Sequence, residues 1–203
     1  LGSVTLNSSS SNIGDVDVLT IAAGDNNIGN VDLASAIPAG TNNIGDVDVL
    51  TDQIGKTANP TITISATPDY TAGDGVGGIL SLTTINSASG RPVLLKSIVA
   101  KDSGNQAPAL TIMFFKATPA GGTYTDNDAL VIDATDMADM VGVVRILAAD
   151  WITVASNKMV SHGAIEQLMA VSATTLFVLI SVDAAWNAGS TSDLTIEFGF
   201  EQK

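Results

Sequence analysis

Aspartate is the residue type in this sequence with the most evident chemistry, and its densest group lies between residues 126 and 139. The group consists of Asp126, Asn127, Asp128, Asp133, Asp136 and Asp139. Carboxylate and amide oxygens are the ligands that Ca²⁺ prefers, so a calcium site is one interpretation. The other is an acidic loop, in which Asp and Asn serve as turn and helix-cap residues by bonding to nearby backbone N–H groups. The sequence favours the acidic loop.

The single histidine, His162, lies between Ser161 and Gly163. One histidine without any cysteine cannot form the nitrogen and sulfur ligand sets that zinc sites use. No nucleophile-elbow motif supplies a serine with which it could form a catalytic triad. We therefore predict a surface or loop histidine.

Residues 73–78 have the letters of the dinucleotide-binding motif G-x-G-x-x-G. That motif follows a strand, opens a helix and is followed about 20 residues later by an acidic side chain. Here the chain continues as a strand, and the corresponding later region holds Lys96 and Lys101. The pattern predicts a glycine-rich loop before a strand, and no nucleotide cofactor.

Carboxylate pairs and aromatic rings could act on or bind sugars. Two of the three glutamates, Glu197 and Glu201, have the even spacing of one strand face, which does not indicate a cleft. Trp186 lies beside a Gly- and Ser-containing loop and is the best candidate for stacking on a sugar ring, but the sequence favours partial burial of its side chain. We predict no catalytic, cofactor-binding or metal-binding residue, and interpret the protein as not an enzyme.

Composition excludes several classes of partner. The 203 residues carry a net charge of −13 with eight basic residues, which argues against nucleic acid and against anionic membranes. Cysteine is absent, and no apolar run reaches the length of about 18 residues that a membrane span needs. Because the chain opens Leu1-Gly2-Ser3, without Met or a basic segment, we expect processing or further residues upstream.

A short tandem repeat occupies the first part of the chain. Three copies of an Asn-Ile-Gly-Asp/Asn-Val-Asp unit begin at Asn12, Asn27 and Asn43, and turn-like links separate them. Valine and aspartate alternate within each unit, as in a short strand with one apolar face. The aspartate face could bind calcium, but the glycine-rich nonapeptide of calcium-binding β-rolls is missing, so a solvated face is favoured.

One repeat unit has too few aliphatic side chains to offset the entropy lost on ordering it. The pattern therefore predicts a stalk or arm that stacks on its neighbours, most simply in a homotrimer with the apolar side chains inward. The alternative is a flexible low-complexity leader. The predicted assembly residues are Ile13, Val16, Val18, Ile28, Val31, Leu33, Ile44, Val47 and Val49.

Longer alternating segments follow a hinge predicted at residues 57–60. Candidate strands are 61–66, 79–85, 93–101, 110–116, 130–132, 141–147, 159–164, 174–182 and 194–200, with short helical turns at 135–140 and 148–151. Turn residues separate many of them, and long amphipathic helices are missing. We predict an all-β chain with a short β-repeat stalk or arm at residues 1–57 and a jelly-roll-like β-sandwich at residues 58–203.

The repeat units, joined by links such as residues 38–42, resemble repeats in virion proteins of tailed bacteriophages. Residues 71–80, 124–130 and 192–196 are similar to segments of small β-rich phage structural proteins. The resemblance implies a virion component, often trimeric, that decorates the head or forms part of a tail or fibre. It implies no catalytic residues.

From the repeat and the resemblance, we predict a capsid decoration or head-fibre protein on the particle surface, anchored by its N-terminal repeats. Its partners would be two further copies and the major capsid protein or other virion proteins. The alternative is a tail-fibre or surface module that binds a carbohydrate or another receptor, with a groove near Trp186. A glycan ligand has no support beyond that residue.

Overall fold

The computed structural model describes residues 55–83, 85, 91–171 and 173–202. Nine strands lie in these residues: β1 Gly55–Ala58, β2 Leu80–Leu82, β3 Val93–Asp102, β4 Leu110–Phe115, β5 Met140–Ile146, β6 Ile152–Val154, β7 Asn157–Met169, β8 Leu176–Val182 and β9 Leu194–Gln202. A short helix, α1 Ala134–Met137, and a 3₁₀ turn, Ala148–Asp150, precede β5 and β6. Within these same ranges, no helix has the length and apolar character needed to cross a membrane.

The strands form two antiparallel sheets. The five-stranded sheet has the order β1-β9-β3-β7-β6, and the four-stranded sheet has the order β2-β8-β4-β5. Without β6, the chain passes between two four-stranded sheets in the double Greek-key order of a jelly roll. The prediction of an all-β jelly-roll sandwich is therefore confirmed, and β6 is an additional edge strand.

Alternation along the strands explains why the two sheets pack together. In β9, Ile196, Phe198 and Phe200 point into the core, while Thr195 and Glu197 point outward. Phe198 packs edge-on against Phe114 of β4 in the facing sheet, with ring centroids 5.6 Å apart. Burial of such aromatic side chains, each worth about 3–5 kcal/mol when truncated to alanine, dominates the core of the sandwich.

The four-stranded sheet is buried on both faces. Met113 and Phe115 of β4 point away from the main core, yet they are 7% and 0% exposed. They pack in a second apolar cluster with Tyr124, Leu130 and Ile132 from the connection between β4 and β5. This connection, residues 116–139, therefore covers the outer face of the four-stranded sheet, and we call it the covering loop.

The structure corrects several predicted boundaries. Residues 61–66 are not a strand, and residues 130–132 contribute only isolated pairing, between Val131 and Thr123. The sequence patterns did not predict strands β1 and β6. Gly55–Ala58 pairs with β9 and is therefore a strand of the sandwich, so residues 57 and 58 are not part of a hinge. The two helical turns are confirmed.

Candidate assembly surface

The outer face of the four-stranded sheet is covered by an apolar cluster. In the described part of the chain, no loop covers the outer face of the five-stranded sheet in this way. Thr195 and Glu197 of β9 and Lys101 of β3 lie exposed on it. The register places these side chains on one face, since Lys101 pairs with Thr195 and Val99 pairs with Glu197. This face is a regular surface that the described residues offer to a partner.

Charge on the five-stranded sheet is balanced, although the chain as a whole is strongly acidic. Its strands carry four basic and four acidic residues, namely Lys56, Lys96, Lys101, Lys158, Asp102, Glu166, Glu197 and Glu201. The net charge of the chain is −13. A partner can therefore approach this sheet without the electrostatic repulsion that the rest of the protein exerts on another acidic surface.

Two grooves meet on this face. The first has a volume of about 430 Å³ and lies between residues 59–62 and strands β3 and β9. The second has a volume of about 370 Å³ and lies between the start of β9 and the hairpin that joins β6 to β7. Both are lined by Lys101, Ser192 and Thr195, so they adjoin at these side chains.

Strand β6 forms the rim of the second groove and is an apolar edge. Ile152 and Val154 are 57% and 48% exposed, and the strand Ile-Thr-Val has no charged residue. Proteins usually protect exposed edges with charges, bulges or short, covered strands. The other edges carry Lys56 in β1 and Arg145 with a register shift in β5, whereas β2 has three residues, as β6 does.

The part of β7 beyond β6 is protected by a bulge. Ala164 and Glu166 have φ values of 55°, in the left-handed region that such residues rarely adopt. The register with β3 shifts at the same place, between Leu95 and Ser97. Lys96 donates a hydrogen bond to Glu166 and lies 3.6 Å from Glu201, so a charge cluster accompanies the bulge. We infer that β6, and not this part of β7, is the open edge.

The predicted assembly residues of the repeat all lie outside the described residues. They are Ile13, Val16, Val18, Ile28, Val31, Leu33, Ile44, Val47 and Val49. Sequence reasoning missed Ile152, Val154 and Lys101 as candidate contact residues. The hairpin between β6 and β7 turns through Ala155, at a φ of 54°, without the glycine that usually marks such a turn.

The acidic loop interpretation of residues 126–139 agrees with the contacts of its carboxylates. Asp126 accepts hydrogen bonds from the backbone N–H of Ser65 and Gly77, at 2.8 and 2.6 Å, and from the hydroxyls of Ser65 and Tyr70, both at 2.7 Å. Asp133 caps α1 by accepting from the backbone N–H groups of Thr135 and Asp136. Across residues 55–202, apart from the gaps given above, no three carboxylate or imidazole side chains are grouped to hold a metal ion.

Asp136 fastens the covering loop in a similar way. Its carboxylate accepts hydrogen bonds from the backbone N–H groups of Ala120 and Gly121 and from the Tyr124 hydroxyl. The bond from Tyr124, followed by those from the backbone, lowers the pKa of Asp136. Space is also tight here, since a Cβ on Gly122 would overlap the carbonyl oxygen of Val131.

Both tyrosines of the chain donate a hydrogen bond to an aspartate. Loss of solvent around the phenol, reinforced by the bond to Asp136, raises the pKa of Tyr124 to about 12. The pKa of Tyr70 is also raised, first by burial and then by its bond to Asp126. Because folding favours the neutral phenols, their stabilising contribution is present below the ordinary tyrosine pKa of about 10 and is lost as the pH rises through the raised values.

We therefore expect alkaline titration to produce little tyrosinate absorbance at pH values around 10, with the signal appearing at higher pH as the covering loop opens. Because Tyr70 and Tyr124 are the two tyrosines of the sequence, Tyr124→Phe leaves only the signal of Tyr70. Substantial tyrosinate absorbance around pH 10 from a protein whose circular dichroism remains native would contradict these hydrogen bonds.

Trp186 does not offer an exposed ring on which a sugar could stack. The side chain is 4% exposed, and its ring stacks on Tyr70 with the centroids 5.1 Å apart. Backbone hydrogen bonds in both directions between Tyr70 and Trp186 hold the two residues together. The structure thus has the burial that the sequence favoured, and burial removes the ring face from contact with a ligand.

His162 and the glycine-rich segment are the two remaining candidates from the sequence. His162 lies in β7, not in a loop, and its Nε2 is 3.4 Å from an oxygen of Asp150. The glycine-rich segment is a loop before a strand, as predicted, with positive φ at Gly73, Gly77 and Gly78. The arrangement brings no nucleotide-binding helix to the glycines, because Leu80–Leu82 continues as β2.

No protein-family model matches the chain, and no curated protein matches it. Among solved structures, the chain is similar to one described as "KBV activated particle at acidic pH", with 13% identity over 96% of this chain and 90% of that chain, and a TM-score of 0.31. It is also similar to Desmodium yellow mottle tymovirus, with 13% identity over 90% of this chain and 93% of that chain, and a TM-score of 0.23. Similarities this weak carry no functional argument, and the jelly-roll assignment depends on the strand order.

Proposed function

We propose that the chain is a structural component of a tailed-bacteriophage virion, either a capsid decoration protein or a head fibre. The N-terminal repeats, residues 1–57 as predicted from sequence, anchor the protein. The jelly-roll domain is displayed on the particle surface. The proposal assigns no catalytic role and no cofactor to the chain.

The observation that carries the proposal is a jelly-roll domain with an exposed sheet face. The sequence predicts that this domain follows a repeat whose single units have too few apolar residues to fold alone. Jelly rolls occur in viral capsid proteins and in lectins, so the fold alone does not decide between assembly and sugar binding. The open face and the uncharged β6 edge favour contact with protein. The phage assignment itself is supported by the resemblance of the repeat units to those of phage virion proteins.

The carbohydrate-binding alternative is weakened, because its best candidate residue, Trp186, is buried. Stacking on a sugar requires the face of an aromatic ring, and Trp186 is 4% exposed. The second tryptophan, Trp151, is 7% exposed, and its Nε1 donates a 2.9 Å hydrogen bond to the carbonyl oxygen of Pro108. We therefore place structural assembly ahead of receptor recognition.

We propose that the protein acts as a homotrimer bound to the major capsid protein or to another virion protein. Light scattering of the purified full chain should give a mass about three times the 20.6 kDa of the single chain. The physical reason is that each repeat unit needs neighbours to bury its valines and isoleucines. A wild-type monomer at micromolar and higher concentrations would contradict the proposed trimeric arm.

A further inference from the structure

We propose that the outer face of the five-stranded sheet binds the same face of a second copy of the chain, across a two-fold axis. Lys101 of each copy lies against Glu197 of the other, so the contact contains the same ion pair twice. This contact is additional to the trimer proposed for the repeats, and it would join neighbouring trimers on a surface. It depends only on the sandwich, so it can be tested independently of the virion assignment.

The strand register places two opposite charges on this face. Lys101 of β3 pairs with Thr195 of β9. Two residues along, Val99 pairs with Glu197, so Lys101 and Glu197 occupy diagonal positions on the same side of the sheet. Residues at such positions of an antiparallel pair lie about 7–8 Å apart. Both side chains are exposed and both line the first groove, so one groove can receive both side chains of a second copy.

These two charges are available to a partner. Lys101 and Glu197 make no hydrogen bond or ion pair with the described residues. Lys96, by contrast, already contacts Glu166 and Glu201 at the bulge. A two-fold axis brings equivalent surfaces together, so each lysine can meet the glutamate of the other copy. The face is therefore self-complementary in charge.

Aliphatic and small side chains surround the two charges. Met159 pairs with Lys101 on one side and with Ile152 on the other, and Ile152 is 57% exposed. Further along the same face, the register places four residues with short side chains or none: Ser97, Ser161, Gly163 and Gly199. Such a surface lets a second sheet approach to about the 10 Å that separates packed sheets, and burial of the aliphatic side chains favours the contact.

Charge also favours a second copy over an unrelated partner. The net charge of −13 makes two copies repel each other over most of their surfaces, so they can meet only where the surface is charge-balanced. Asp193 in the adjoining groove is buried, and its carboxylate accepts hydrogen bonds from Ser103 and Ser190, so it is shielded from a partner. An acidic partner would be repelled by Glu197 and a basic one by Lys101, whereas a second copy offers an opposite charge to each.

Light scattering of the full chain over a concentration series tests this contact. The mean mass should rise between about 10 μM and 1 mM, because a small contact between copies is weak. The mass at the lowest concentration reports the assembly formed by the repeats. Lys101→Glu and Glu197→Lys should each weaken the further association at least about ten-fold, because each replaces two attractions with two repulsions. Both side chains are exposed, so circular dichroism of the variants should remain native.

Mixing the two variants separates a contact between copies from a local effect of either substitution. Lys101→Glu leaves two acidic side chains at this site, and Glu197→Lys leaves two basic ones. An equimolar mixture should therefore associate as the wild type does, although neither variant associates alone. The double variant Lys101→Glu/Glu197→Lys should also associate as the wild type does, because both ion pairs form again with their charges exchanged.

The matched controls change the charge elsewhere by the same amounts. Lys56 pairs with Phe200, which points into the core, so Lys56→Glu acts on the other side of the sheet, and Asp128→Lys lies in the covering loop. Each should associate within about two-fold of the wild type. A wild-type mass that stays constant up to about 1 mM, association unchanged by Lys101→Glu, or a mixture that does not recover it would overturn the proposal. A monomer at low concentration that becomes a dimer would support this contact and contradict only the trimer.

Discussion

Replacing Asp126 with alanine should lower the free energy of unfolding by about 3–5 kcal/mol. The carboxylate accepts hydrogen bonds from two backbone N–H groups and two hydroxyls, which come from Ser65, Tyr70 and Gly77. Tyr70 is 1% exposed, so water cannot readily replace the lost acceptor at its hydroxyl. Hydrogen bonds to a charged group contribute about 1.5–3 kcal/mol each, and donors left without a partner add a penalty.

Chemical denaturation of the full chain measures this effect. The matched control is Asp128→Ala in the same loop, because Asp128 is exposed and only its backbone carbonyl has an identified role, in accepting from Gly75. We expect the control to change stability by less than about 0.5 kcal/mol. Equal stability of Asp126→Ala and the wild type would show that Asp126 does not hold the covering loop to the sandwich.

Replacing Val16, Val31 and Val47 together with aspartate should convert the proposed trimer to monomers. The sequence places one of these valines on the apolar side of each repeat unit. Burying a carboxylate without a partner costs several kcal/mol, and three chains would each contribute three new charges. Light scattering should therefore give the mass of a single chain, and the variant should fail to attach to particles.

The control for this variant changes the opposite face of the same units. Replacing Asp17, Asp32 and Asp48 with asparagine should leave the mass unchanged, because these positions are predicted to face solvent. A triple aspartate variant that remains trimeric would contradict the role proposed for the valines. Dissociation of the asparagine variant would instead indicate that the aspartate face forms the contact.

The main strands of the sandwich could be predicted because their patterns are local. In β9, alternate residues from Leu194 to Gln202 are buried, and that period is visible in the sequence. Strand β1, Gly-Lys-Thr-Ala, has no such pattern and is a strand because β9 pairs with it. Strand β6 has three residues and a hairpin turn without glycine, so neither its length nor its turn was a clear signal.

The roles of Asp126 and Trp186 could not be read from the sequence because their partners are distant along the chain. Asp126 is 61 residues from Ser65 and 49 from Gly77. The sequence favoured burial of Trp186, but it did not identify Tyr70 as the ring on which Trp186 stacks. Local composition correctly indicated an acidic loop with a helix cap. It did not indicate that this loop would cover the outer face of the four-stranded sheet.

Electron microscopy of purified particles tests most directly whether the protein is a structural part of a phage particle, as proposed. On the proposed role, purified phage particles should show the protein in many copies on the head surface, with the jelly-roll domain outward and the N-terminal repeats at the attachment point. Intact, infectious particles that lack the protein would contradict the account.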